Sequence, residues 1–438
     1  MKIILSGDSL VNKIIHKEYI PEKEYRWFRF CVIDEQNDYL LVLNSLNRML
    51  IELDREELES KITIGFLVNH GFYVETLQND LELCKEIINL VKTLREPYTT
   101  IKFFTIFTSL NCNARCFYCF ERGQNINKED MNEAVANKVA EFIHRINNDE
   151  KIYIRWFGGE PLLNISCIDT ISHKLKELGI EFESSLVTNG VLINQKLIDK
   201  SIDEWRIRHI QITIDGTKDK YLEIKNYPNK AVDYFEIVIN NIENLLKYGI
   251  EVIVRLNISE SNCENMVDLL ELLLDKFSGY SNLTIDPHSL FEKQGNIDLI
   301  RTADDEKKVR ETQLLILKRI DEMGLYNNEL RRYLKTSVCT ADSGHTITIL
   351  PSGRLGVCEH SLTDHFVGWV DEDMLDLSEV NYFKNAYPEM EECSVCSCYL
   401  ECNRQSVCDG VVKGCSLGKK QVLLRETLMK MRHERRQK

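Results

Sequence analysis

The sequence predicts an α/β fold: a run of parallel strands with crossover helices, preceded by a small α+β unit and followed by a cysteine-rich segment. Three observations predict it. The chain has 438 residues, and single cores stop growing beyond roughly 250–300 residues, so two or three domains are expected. Short apolar runs alternate with amphipathic segments through the middle of the chain, the rhythm of strands joined by crossover helices. The 15 cysteines are unevenly placed: three fall within residues 112–119 and eight between 339 and 415, leaving only Cys31, Cys84, Cys167 and Cys263 apart.

Residues 1–98 read as the α+β unit. Arg29–Ile33, Tyr39–Leu43 and Met49–Leu53 have the look of short strands joined by the polar turns Gln36-Asn37-Asp38 and Asn44-Ser45. Asp54 and Glu57 make a capping-box pattern that starts a short helix. Cys84, Ile87, Ile88 and Val91 then recur at helical spacing, and Pro97 marks a boundary. Residues 99–310 carry six expected strands: Ile101–Thr108, Ile152–Phe157, Phe182–Val187, His209–Ile214, Glu251–Leu256 and Leu283–Asp286. Amphipathic segments at Ala134–Ile146, Ile168–Leu178, Phe235–Tyr248 and Met266–Lys276 separate them. Six parallel strands make an open sheet or a partial barrel with a wide mouth. Residues 311–335 read as a helical linker. Over 336–418 the periodicity weakens, so metal is expected to hold that segment together. Residues 419–438 hold eight Lys or Arg and two Glu and read as a basic tail, a solvated helical end or a frayed terminus.

The formal charge of −14 argues against a generic nucleic-acid binder, which needs a basic surface to neutralise phosphates. Met1–Leu5 is too short an apolar run for a signal peptide, and no window approaches the ~18 apolar residues of a membrane span. A cytoplasmic location is therefore expected, with reduced thiols and neither membrane nor nucleic acid as partner. Clustered thiols in that setting are metal ligands before they are disulfides.

The first group is Cys112-x-x-x-Cys116-x-x-Cys119, directly after the first central strand, with Tyr118 before the last cysteine. A structural zinc site needs four closed ligands. Three thiolates in one loop suit a cubane iron–sulfur cluster with one open iron. The second strand runs into Gly158-Gly159-Glu160-Pro161, whose glycines permit close backbone approach and whose carboxylate can accept from an ammonium. This combination resembles the radical S-adenosylmethionine (SAM) enzymes. The resemblance implies a partial (β/α)6 radical SAM barrel. It makes Cys112, Cys116 and Cys119 the ligands of a catalytic [4Fe-4S] cluster, and Gly158, Gly159 and Glu160 the receptor of the SAM amino group. Thr188 and Asn189 at the third strand end, Asp215 at the fourth and Arg255 in the fifth fall at family positions near the SAM ribose or carboxylate, and Tyr118 near the adenine. Each also has an ordinary reading as turn chemistry or a solvated charge.

The second group runs Cys339, Cys358, Cys393, Cys396, Cys398, Cys402, Cys408 and Cys415. It resembles the SPASM extension of radical SAM enzymes, which carries two auxiliary [4Fe-4S] clusters. The resemblance implies Cys393, Cys396, Cys402 and Cys415 for the outer cluster and Cys339, Cys358 and Cys408 for the inner one. The gap from Cys402 to Cys408 is longer than the family pattern, and Cys398 is an extra cysteine. The fourth inner ligand stays open among an unliganded iron for substrate, Cys398, Asp342 and His345. Glu359, directly after Cys358, falls where sulfatase-maturing relatives carry an acidic residue proposed as a base, and is a candidate catalytic proton acceptor. The competing reading of this segment is a structural zinc module.

The α+β unit loosely resembles the winged-helix-like peptide-recognition domain of maturases of ribosomally made peptides (RiPPs), in which a leader peptide adds a strand to the sheet. Its plainer reading is a stabilising lid or a dimer interface. Together the resemblances imply an oxidoreductase acting on a precursor peptide bound through its leader. It would abstract hydrogen with a 5′-deoxyadenosyl radical and form an intrapeptide crosslink, thioether or C–C. A reduced flavodoxin or ferredoxin would supply the electron. The rival readings are a protein-modifying enzyme such as an anaerobic sulfatase maturase and a non-catalytic iron–sulfur or zinc sensor or scaffold.

Overall fold

The apolar runs of the central region become six strands: β1 (Phe103–Ser109), β2 (Ile152–Gly158), β3 (Phe182–Thr188), β4 (Ile207–Thr213), β5 (Glu251–Ile258) and β6 (Leu283–Ser289). Each pairs in parallel with the next, in chain order. The structure is a computed structural model. It describes residues 1–95, 101–123, 128–147, 150–290, 293–294, 297–298, 302–326, 328–336, 339–360, 362–376, 378–380, 393, 396–402 and 417–438. Cys408, Cys415 and Pro97, singled out above, lie outside the described residues.

Alternation explains why the sheet sits where it does. Ile154, Trp156, Leu186, Ile212, Val254 and Ile285 point to one face and are buried in a core shared with helices Glu133–Ile146, Ile165–Glu177, Tyr234–Lys247 and Cys263–Phe277. The intervening residues, Arg155, Gln211, Arg255 and Asp286 among them, lie on the opposite face. This is an α/β architecture, a partial barrel built on a parallel sheet.

The sheet does not stop at six strands. β7 (Thr346–Ile349) pairs in parallel with β1, and β8 (Arg354–Gly356) and β9 (Phe366–Trp369) follow antiparallel. The order is β6-β5-β4-β3-β2-β1-β7-β8-β9. This corrects the expectation that the segment beginning at 336 depends on metal throughout. Ile347, Ile349, Leu355, Val357, Val367 and Val370 are buried in the barrel's own core. The strands are only three or four residues long, too short for their alternation to stand out in the sequence.

The N-terminal unit is a four-stranded antiparallel sheet in the order Lys2–Leu5, Leu50–Asp54, Tyr39–Asn44, Cys31–Glu35. The edge strand Lys2–Leu5 and the helix Ser9–Ile15 after it were not expected. Asp8 caps that helix, accepting from the Leu10 and Val11 amides at 3.2 and 3.4 Å. The capping box at Asp54 does not form: Arg55–Glu57 is a single 3-10 turn and Asp54 makes no side-chain cap bond.

The basic C-terminal stretch is not a frayed tail. Leu417–Arg436 is a 20-residue helix whose Met429 and Met431 are fully buried. Met431 packs with Leu41, Leu43 and Leu50 of the N-terminal sheet. Arg432 donates to Asp34 at 2.8 and 2.9 Å and to Asp321 at 2.8 Å. Asp321 belongs to helix Ala303–Glu322, so one guanidinium joins the small sheet to the barrel side. No helix among the described residues is long and apolar enough to cross a membrane.

Candidate functional site

The loop that follows β1 carries the first cysteine group. Its base is tied down by Asp130, which accepts from Ser109 Oγ at 2.5 Å and from Asn111 Nδ2 at 3.0 Å. Cys112, Cys116 and Cys119 are all partly buried. Burial pushes the Cys112 thiol up to about 12, and the neighbouring Cys116 and Cys119 add to the rise, which places the three in one another's field. Burial also raises Cys116, against the pull of the Lys225 ammonium.

Gly158-Gly159-Glu160 is sewn to this loop by backbone hydrogen bonds. The Gly159 amide donates to Ser109 O at 2.9 Å and the Glu160 amide to Asn111 O at 2.8 Å. A Cβ on Gly159 would overlap the Asn111 carbonyl and stand 3.2 Å from Cys112 Cβ. One on Gly158, whose φ is +126°, would overlap the Ser109 carbonyl. The backbone that these glycines admit is therefore the cysteine loop itself.

Glu160 is fully buried and already engaged. Oε1 accepts from Thr188 Oγ1 at 2.7 Å and the Leu162 amide at 3.1 Å, and Oε2 accepts from the Asn189 amide at 2.8 Å. Burial raises its pKa, and these donors oppose the rise. In this geometry Glu160 locks the end of β3 to the end of β2. Asn189 then reaches back to the cysteine loop, donating to Asn113 Oδ1 at 2.6 Å.

On the far side of the loop Tyr118 donates to Asp215 Oδ2 at 2.8 Å. Lys225 Nζ stands 2.9 Å from the same oxygen and 3.2 Å from the Tyr118 hydroxyl. Asp215 Oδ1 is buried without a partner. Arg255 lies deeper, its Nε donating to Asn257 Oδ1 at 3.2 Å and its Nη1 at 3.8 Å from Asp286 Oδ2. Burial lowers the Arg255 pKa although a quarter of the side chain stays accessible, which fits a group lining a concavity. His288, close to Arg255 and Arg310, is pushed down to about 3 by burial and then by those two cations.

From β8's end, Glu359 reaches over the barrel and stands 3.7 Å from Arg155. Cys358 Sγ accepts from the His360 amide at 3.4 Å. Cys339 and Cys358 pack against the barrel core, whereas Cys393 packs against the N-terminal core. Among the open ligand choices, Asp342 Oδ1 accepts from the Cys339 amide at 2.9 Å, and the His345 carbonyl holds the Lys102 and Phe103 amides at the start of β1. Cys398 is buried and hydrogen-bonds Cys396. That bond draws Cys396 down to about 6 and pushes Cys398 up.

Among the described residues no three His, Cys, Asp or Glu side chains stand close enough to hold a single metal ion. A cubane sets a different demand, because each thiolate takes a different iron. The donor set of one loop with three thiols fits it. The unpartnered Asp215 oxygen likewise suits a donor-bearing ligand beside that loop.

Sequence reasoning missed Asn113, Asp130 and Lys225. Asn113 and Asp130 are ordinary turn residues until β3 and the loop base are brought to them. Lys225 ends the helix Lys218–Lys225, and nothing in its local pattern separates it from the surface lysines around it.

Comparison with known proteins agrees with this geometry. The radical SAM superfamily model matches residues 106–273. The chain is 28% identical over 272 residues to the radical SAM cyclopropyl synthase TigE of Paramaledivibacter caminithermalis, covering 55% of each protein. It is 24% identical over 270 residues to GTP 3′,8-cyclase of Clostridium perfringens strain 13, covering 59% of this chain and 81% of that one. The chain thus spans about half the length of TigE. Among solved structures, native anSMEcpe with bound AdoMet superposes with a TM-score of 0.58 at 17% identity, over 76% of this chain and 98% of that one.

Proposed function

Because the chain carries a radical SAM domain over residues 106–273, with SAM and its [4Fe-4S] cluster as cofactors, we propose that it is a maturase of a ribosomally synthesised precursor peptide. The product is an intrapeptide crosslink, thioether or C–C. The observation that carries the reading is the convergence of the Cys112–Cys119 loop, the Gly158-Gly159-Glu160 turn, Asn189 and Asp215 at the carboxyl ends of β1 to β4, with a small antiparallel sheet packed onto the same chain. When bound, cluster and SAM supply one-electron cleavage that yields a hydrogen-abstracting 5′-deoxyadenosyl radical.

The chain's own residues do the rest. Cys112, Cys116 and Cys119 hold the cluster. The Gly158-Gly159 turn and Asn189 fix the loop, and Glu160 fixes the strand ends around it. Asp215, Tyr118 and Arg255 offer the ligand a carboxylate, a ring and a guanidinium. Cys339, Cys358 and Cys408 would hold an inner auxiliary cluster and Cys393, Cys396, Cys402 and Cys415 an outer one. The packing of Cys339 and Cys358 on one core and Cys393 on another supports two separate clusters. Glu359 would accept the proton lost by the substrate, oriented by Arg155, and the auxiliary clusters would take up the electron that leaves with it. The leader adds to the edge strand Lys2–Leu5, which pairs on one side only among the described residues and leaves Ile3 half-exposed.

Anaerobic incubation of the reconstituted chain with SAM, reduced flavodoxin and the precursor peptide tests the reading. A peptide lighter by two hydrogens, with equimolar 5′-deoxyadenosine, is expected. Unchanged mass with deuterium uptake from heavy water would replace crosslinking by epimerisation. No SAM cleavage after full reconstitution would remove the enzyme reading.

A further inference from the structure

Lys225 is an ammonium almost wholly enclosed: its side chain is 4% exposed, beside the fully buried Asp215. Such a cation is costly unless something nearby requires it. Asp215 at 2.9 Å is one requirement, but two further contacts point elsewhere. The ammonium meets the Tyr118 hydroxyl at 3.2 Å and sits 5.8 Å from the Tyr118 ring centroid. The Lys225 carbonyl accepts from the Arg115 amide at 2.7 Å. Side chain and backbone of one residue therefore grip two points of the cysteine loop, Arg115 and Tyr118, on either side of Cys116. The grip is possible because the helix stops at Lys225, with Asn226 in the left-handed region at φ +47°.

We propose that Lys225 is a positioning residue for the radical SAM cysteine loop: it clamps Arg115 and Tyr118 and supplies the buried positive charge that a thiolate-rich loop needs. The inference rests on the reading of Cys112–Cys119 as cluster ligands. Its role is distinct from that of the Gly-Gly-Glu turn, which fixes the loop from the other side through backbone hydrogen bonds.

Four full-length proteins test it: wild type, Lys225→Arg, Lys225→Met and the double variant Asp215→Asn/Lys225→Met. Iron is measured against a Cys112→Ala/Cys116→Ala/Cys119→Ala chain, so that the difference, about four irons in wild type, belongs to this loop. The midpoint potential of that cluster is followed by electron paramagnetic resonance. Lys225→Arg should keep the iron. Lys225→Met and the double variant should each lose most of it, and what remains should have a more negative midpoint, because the cation that favours the reduced cluster is gone. If the double variant recovers wild-type iron and wild-type midpoint, the lysine only neutralises Asp215 and the proposal fails. A wild-type chain no richer in iron than the triple alanine chain would overturn the cluster reading itself.

Discussion

A single methyl group probes how tightly the site is built. In Gly159→Ala the new Cβ would overlap the Asn111 carbonyl, which is main chain and cannot swing aside. The loop must shift, at about 1–3 kcal/mol in stability, and Cys112 moves with it. The expected outcome is loss of SAM binding, measured by equilibrium dialysis, with the fold retained by circular dichroism; unimpaired binding would contradict the packing described. His288 gives a pH signature at the same scale. Its folded pKa, about 3, lies below the ordinary 6.5, so between those values the unfolded chain binds more protons than the folded one. Its contribution is therefore complete above 6.5 and lost as pH falls toward 3, at no more than about 1.4 kcal/mol per pH unit. His288→Gln should flatten that part of the urea-denaturation stability profile. The cysteines, the glycine pair and Glu160 were legible because their spacing is local. Lys225 and Asn113 were not, because their meaning depends on a partner about 75 to 110 residues away. Glu160 was legible as a site residue, but its three partners inside the chain could not be read from a motif.

Elements were legible in proportion to their length and to the purity of their period. The six barrel strands emerge within two residues of their expected starts because each carries several apolar residues at alternate positions against helices with clear faces. The short strands β7 to β9 and Lys2–Leu5 have too few residues to show a period. The C-terminal helix misled for another reason: its Lys and Arg are as many as its apolar residues, and composition concealed that Val422, Met429 and Met431 are buried. Its charges are not all solvated. Arg432→Ala would deprive Asp34 of its cation and leave Asp321 to Arg425 alone, both carboxylates being largely buried, and should cost about 3–5 kcal/mol. Arg432→Lys cannot span both carboxylates with one planar fork and should recover only part of this. Urea denaturation of the three proteins measures the series. Equal midpoints would mean that the helix is held by its apolar residues alone.

At the scale of the whole molecule, the N-terminal unit is packed onto the cysteine-rich turn. Arg48, fully buried and in the left-handed region at φ +63°, is ion-paired with Glu401, one residue before Cys402, and its Nε donates to Arg331 O at 3.0 Å. Phe30 and Tyr399 meet as tilted rings with centroids 5.3 Å apart, and Asp8 accepts from the Leu334 amide at 2.9 Å. A residue held at positive φ away from glycine persists only where its surroundings over-determine it. Here the buried pair does so, linking the sheet proposed to hold a leader to the turn proposed to hold a cluster. Arg48→Met should therefore act at a distance. It leaves the Glu401 carboxylate buried beside Cys402, with Arg331 and Lys430 as its remaining cations, and a buried charge deprived of its partner costs about 3–5 kcal/mol. The charge-free double variant Arg48→Met/Glu401→Gln removes that penalty and should regain most of the stability. If the coupling described is right, Arg48→Met also lowers iron retention by the second cysteine group while the Cys112–Cys119 iron stays, and the double variant restores it. Iron loss confined to the first group, or stability and iron both unchanged in Arg48→Met, would mean that the two units touch without depending on one another.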